Sequence, residues 1–109
     1  KLIAGVSFVG RILEGIPARD LKSFADDLKI QIGSGVIAIC ATEEGKASLV
    51  VGVTDDLLNK FDAVALVRVG SKVLGGKGGG GRSDMAQAGG PETGKAGEAI
   101  AAIERALSD

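Results

Sequence analysis

Apolar residues change their spacing several times along this chain, and each change marks an element. Leu2, Ile3, Val6, Phe8 and Val9 predict a strand over Leu2–Val9, with Gly5 read as a point of close backbone approach. Ile16-Pro17 then starts a helix, because proline in the first turn gives up an N–H that has no helical partner there. Leu21, Phe24, Leu28 and Ile32 recur at three- and four-residue steps and form one apolar face. Arg19, Asp20, Lys22, Asp26, Asp27 and Lys29 occupy the other face, and Gly33-Ser34-Gly35 ends the helix.

Val36–Ala41 is an unbroken apolar run and predicts a strand buried on both faces. Glu43-Glu44-Gly45-Lys46 makes a polar turn into a second apolar strand, Ala47–Val53, so the two form a hairpin. Thr54-Asp55-Asp56 reads as a helix start, with carboxylates near the positive end of the dipole. Asp62 caps a further helix through Val64, Leu66, Val67, Val69, Val73 and Leu74, although its β-branched residues favour strands. Gly75-Gly76 stops it. Met85–Ala88 predicts a short strand, and Thr93–Leu107 a last helix with Ala96, Ala99, Ile100, Ile103 and Leu107 inward. This order predicts an α/β fold: a single small domain over residues 1–109, with a mixed β-sheet and helices packed against it. A glycine-rich loop precedes the short strand and the C-terminal helix.

Composition narrows the chemistry. At 109 residues, 45% of them hydrophobic and 25% charged, the chain suits one globular domain that needs no metal or disulfide to fold. It contains no membrane-length apolar run and no secretory signal, and its start at Lys1 reads as a piece of a longer protein. The lone Cys40 sits among apolar neighbours and reads as a small buried hydrophobe in a protein of the reducing cytoplasm. There is no histidine, which removes the commonest general base and makes a zinc site within this chain untenable. The pairs Asp26-Asp27, Glu43-Glu44 and Asp55-Asp56 read as solvated or capping charges.

The net charge is only −1, but its distribution is uneven. Between Arg68 and Asp84 stand four cations, Arg68, Lys72, Lys77 and Arg82, against the single carboxylate of Asp84. A basic patch on a near-neutral body fits a docking module better than a general polyanion binder. Within that patch, Leu74–Gly90 holds eight of the chain's eighteen glycines. Successive backbone N–H groups in such a stretch make an anion-binding concavity. The sequence argues against a nucleotide P-loop, since Gly78 follows Lys77 where that motif needs a hydroxyl. Gly76–Gly81 matches Gly-x-Gly-x-x-Gly only because it is nearly all glycine. The remaining readings are a tight structural turn and an RNA contact. With no Trp or Tyr, and with Phe8 and Phe24 placed in the core, aromatic stacking is not the mode. Flat glycine peptide planes would lie against an exposed base pair, with Lys77 and Arg82 bracketing phosphates.

The stretch from Gly75-Gly76-Lys77 through Arg82-Ser83-Asp84-Met85-Ala86-Gln87-Ala88-Gly89-Gly90 resembles the signature of the C-terminal domain of bacterial alanyl-tRNA synthetases, a DHH-associated domain family. The opening Leu2-Ile3-Ala4-Gly5-Val6 and the hairpin fit the same family, so the resemblance covers nearly the whole chain. Ser83 stands where proline is expected, and four glycines follow Lys77 where relatives have three. The resemblance implies tRNA as partner, bound at the outer corner where the D and T loops meet, helping to couple aminoacylation and editing. It offers Lys77, Gly78, Gly79, Gly80, Gly81, Arg82, Asp84 and Gln87 as tRNA-binding candidates, with Lys72 and Arg68 adding long-range attraction. Asp84 would pair with Arg82 or pin loop amides, and Gln87 would pair with backbone or touch ribose. The parent enzyme would be an alanine–tRNA ligase using ATP, magnesium and an editing-module zinc, whereas this chain alone would be neither catalytic nor cofactor-bearing. Two other readings remain open: the substrate-binding half of a DHH-type phosphoesterase, and a dimerisation module using the C-terminal region.

Overall fold

Residues 1–108 are described by a computed structural model in which the chain doubles back at once. Leu2–Ile3 (β1) pairs antiparallel with Val6–Glu14 (β2) through Ala4-Gly5, whose φ angles of 52° and 83° suit a two-residue hairpin turn. The single strand expected over Leu2–Val9 is therefore two strands. Gly5 serves the turn, and no atom lies within 4 Å of where its Cβ would stand, so close backbone approach is not its role.

Ala18–Ile32 (α1) carries the chain to Val36–Glu43 (β3), which lies parallel to β2, and Lys46–Val53 (β4) returns antiparallel to β3. Ala63–Val73 (α2) leads to Gly79–Arg82 (β5) and Met85–Gly90 (β6), and a 3-10 turn at Thr93–Lys95 opens Ala96–Ser108 (α3). The six strands form one mixed sheet in the order β1-β2-β3-β4-β6-β5. As expected from the pattern, it is α/β with helices against the sheet.

The continuous apolar run of β3 supplies both faces, as the sequence indicates. Ile37, Ile39 and Ala41 join Leu21 and Ala25 of α1, with Val50 and Met85, in one core. Val36, Ala38 and Cys40 join Leu49, Leu66, Val67 and Ile103 in the other, beneath α2 and α3. Burial pushes the Cys40 thiol up to about 11, so it stays protonated near neutral pH. Phe24 departs from expectation: it is 43% exposed. The helix meets the sheet through Leu21, Ala25 and Leu28, because small Ala25 lets the backbone approach and turns Phe24 outward.

Asp62 caps α2 as predicted, accepting from the Val64 N–H at 3.0 Å. At the other end the N–H of Gly75 (φ 79°) donates to Lys72 O, and that of Gly76 to Ser71 O. This Schellman pair satisfies the last carbonyls and aims the chain at the sheet edge.

Thr54-Asp55-Asp56 starts only a single 3-10 turn at Asp55–Leu57. Thr54 is committed elsewhere: its hydroxyl accepts from Gly35 N–H at 2.9 Å and donates to Asp56 Oδ1 at 2.6 Å. Donation from the Ser34 hydroxyl, then from Thr54, holds the Asp56 carboxyl below its ordinary value of 3.8. A depressed folded value means that Asp56 contributes stability above the unfolded pKa, and that the contribution is lost as pH falls through the folded one. Wild-type chain is therefore expected to exceed Asp56→Asn in stability at pH 6, with the gap closing as pH drops below 3.8. Urea denaturation at stepped pH measures this, and a pH-independent gap would contradict it.

Candidate nucleic-acid interface

The glycine-rich stretch is a loop only as far as Gly78; Gly79–Arg82 then forms β5, the edge strand, paired antiparallel with β6. Several contacts hold this side-chain-poor strand in place. The buried Ser71 hydroxyl lies 3.2 Å from Gly78 O and 3.0 Å from Gly89 O, where its single proton is shared between them. A Cβ at Gly76 would overlap Gly89 O, and one at Gly79 would overlap the Ala88 methyl. Both glycines are needed where loop and strand press on β6.

The candidate residues divide into anchors and open groups. Arg68 Nε donates to Gly79 O at 3.2 Å, so Arg68 touches β5 directly instead of acting only at long range. Asp84 sits in the β5–β6 turn, its carbonyl accepting from Val53 N–H at 2.9 Å and from Lys29 Nζ at 3.2 Å. Its carboxylate pairs with Arg82 Nε at 3.4 Å and lies 3.8 Å from Lys29 Nζ. Gln87 Nε2 donates to Ala18 O at 3.3 Å and so ties β6 to the start of α1. The Ser83 carbonyl accepts from Ala63 N–H at 2.8 Å, a contact that the expected proline would keep. Gly80 is open: nothing lies within 4 Å of its Cβ position.

Strand parity splits the predicted basic patch. Arg68, Lys72 and Lys77 line a cleft of about 360 Å³ with Gly76, Gly78 and Gly79, on the α2 side of β5. Arg82 pairs in register with Met85, and Gly80 with Gln87, so both face α1. There they line a second cleft, of about 340 Å³, together with Gly81, Met85, Gln87 and Lys22. Lys22 escaped the sequence reading because it lies far from the glycines in the chain. Its only signal was its place on the polar face of α1, seven residues before Lys29.

A DHHA1 domain model matches residues 5–109, nearly the whole chain. The chain belongs to the DHHA1 domain family. This DHHA1 domain is 57% identical over 107 residues to the alanine–tRNA ligase of Paramagnetospirillum magneticum, and 62% identical over 107 residues to that of Bradyrhizobium diazoefficiens. The matches cover 98% and 97% of this chain but only 12% of each ligase. The crystal structure of the C-Ala domain from Aquifex aeolicus alanyl-tRNA synthetase superposes with a TM-score of 0.92 at 30% identity, covering 100% of this chain and 97% of that one. A DHH-domain structure from the s1p family of ribosomal proteins matches 87% of this chain and 22% of its own at a TM-score of 0.55 and 24% identity, which shows a shared fold. Among the described residues, no helix of this DHHA1 domain is long and apolar enough to cross a membrane.

Proposed function

We propose that this DHHA1 domain is a tRNA-binding module of an alanine–tRNA ligase, docking on the outer corner of tRNA where the D and T loops meet. The observation that carries the reading is β5, an edge strand with glycine at three of its four positions and cations on its flanks. With no side chain at Gly80, peptide planes lie open to a flat RNA surface. Among the described residues Lys72 and Lys77 enter no ion pair, so their charge is free for phosphates. Of the transferred candidates, Asp84 and Gln87 act by holding the strand's frame. Gly78, Gly79, Gly81, Arg68 and Arg82 shape the surface.

In the whole protein this contact would keep one tRNA engaged with the aminoacylation and editing modules. That protein would attach alanine to tRNA in the cytoplasm, using ATP and magnesium. Among the described residues no cluster of His, Cys, Asp and Glu could hold the editing zinc; the chain lacks histidine and Cys40 is buried. A second reading is self-association through the C-terminal region. It rests on Ile12, 52% exposed, whose Cδ1 lies 3.9 Å from where a Cβ on the exposed Gly97 of α3 would stand.

Fluorescence anisotropy with labelled tRNA tests the first reading, using as control a tRNA whose D-loop–T-loop contact is broken. The intact tRNA is expected to bind tighter, with affinity falling steeply with salt because each phosphate contact releases condensed counterions, by a log–log slope of about 0.7–0.9 per contact. An isolated domain with few such contacts is expected to bind in the micromolar range or weaker, and tethering in the whole protein raises the effective concentration. Equal affinity for both RNAs overturns corner recognition. No binding at low salt overturns the RNA reading and favours self-association, which sedimentation at rising concentration then measures.

A further inference from the structure

We infer that β5 is a tongue gripped between two backbone segments of a folded RNA, and that Lys22 of α1 is a phosphate-contacting residue on its second face. This rests on the RNA-binding reading above and adds how the RNA is held: on both faces of one strand, by a backbone that doubles back, not by a single extended run. The cations near β5 do not form one patch. Lys72 and Lys77, with Arg68, stand on the α2 side, whereas Lys22 and Arg82 stand on the α1 side. Paired residues in antiparallel strands share a face, and Arg82↔Met85 and Gly80↔Gln87 place these residues opposite Gly79 and Gly81.

The two clefts differ from others on the surface in their charge. Neither has a carboxylate in its lining. Three other clefts do: one carries Glu14, Glu43 and Glu44, another Asp55, Asp56 and Asp84, and a third Glu104. Among the described residues Lys22, Lys72 and Lys77 enter no ion pair, while Lys1, Lys29 and Arg82 each do. Asp26 stands one turn beyond Lys22 on α1 yet is not within ion-pair distance of it. Unpaired ammonium groups on both sides of a bare strand leave two separate attractive sites. In the middle of the strand the α1-side site is left open, since a Cβ at Gly80 would meet nothing. A single phosphate run can follow one side. Only an RNA with a second segment nearby satisfies both.

The test compares wild type with Lys22→Ala, with Lys72→Ala/Lys77→Ala, and with the triple variant. Each is titrated at several salt concentrations against folded tRNA and against an unstructured single-stranded RNA of equal length. For folded tRNA, Lys22→Ala is expected to weaken binding several-fold and lower the salt slope by about one. The losses from the two faces should multiply in the triple variant, and Lys22→Arg should restore binding. For single-stranded RNA the two sets should not multiply, since one face suffices. All these side chains are exposed, and unchanged thermal unfolding verifies the fold. If Lys22→Ala binds folded tRNA like wild type while the Lys72→Ala/Lys77→Ala variant is weakened, the two-sided grip is overturned and RNA binding stands. Losses that multiply equally on single-stranded RNA overturn the doubled-backbone requirement. Failure of wild type to bind either RNA removes both proposals.

Discussion

Leu49→Ala is expected to lower the free energy of unfolding by about 2–5 kcal/mol, as removal of a large core side chain does when the site cannot collapse. Leu49 is fully buried in β4 at the point where α2 and α3 meet the sheet. Gly70 brings α2 close there: a Cβ on it would overlap Leu49 Cδ2 and come within 2.9 Å of Ile103 Cδ1. Gly70→Ala is accordingly expected to cost about 1–3 kcal/mol by overpacking. The two changes should not add. The new methyl enters the space that Leu49 vacates, so the double variant should be more stable than the sum of the single losses predicts. Urea denaturation of the four proteins closes the cycle, and strict additivity would show that the helix shifts away instead of pressing on Leu49.

Gly79→Ala and Gly80→Ala are expected to separate what the glycines do for the fold from what they do for RNA. These neighbours in β5 point to opposite faces. A methyl at Gly79 would overlap Ala88 and crowd the Gln87 carbonyl, so this variant should lose about 1–3 kcal/mol of stability through overpacking. A methyl at Gly80 meets nothing, so its stability should stay within about 0.5 kcal/mol of wild type. Yet that methyl stands in the cleft beside Lys22 and Arg82, where the RNA is proposed to lie. Affinity for tRNA is expected to fall about tenfold, or 1.4 kcal/mol. Wild-type affinity in Gly80→Ala would assign the glycine run to folding alone.

Much of this architecture was legible because local pattern and packing agreed. The β3–β4 hairpin was readable from two apolar runs around Glu43-Glu44-Gly45-Lys46, and both strands are buried on both faces. Asp62, the Gly75-Gly76 stop and the inward residues of α3 were readable from capping chemistry and helical spacing. Phe24 was misplaced because periodicity names a stripe but not its centre, and small Ala25 decides which side approaches the sheet. The Leu2–Val9 run hid a hairpin because Ala4 takes positive φ, a conformation that composition alone does not announce.

The sequence by itself determined the α/β class, the core strands, the concentration of glycine and positive charge in one stretch, and the likeness to the family to which the chain belongs. Those features are local in the chain, or periodic along it, so they need no knowledge of neighbours. Only the tertiary structure decided that three of the glycines after Lys77 form an edge strand, that Arg68 touches it, and that Arg82 stands apart from Lys72 and Lys77. It alone brought Lys22 from α1 to the same strand. Alternation along β5 sends neighbouring residues to opposite faces, while the crossover through α1 returns distant residues to one of them. Nearness in sequence and nearness in space therefore part company at the proposed binding surface.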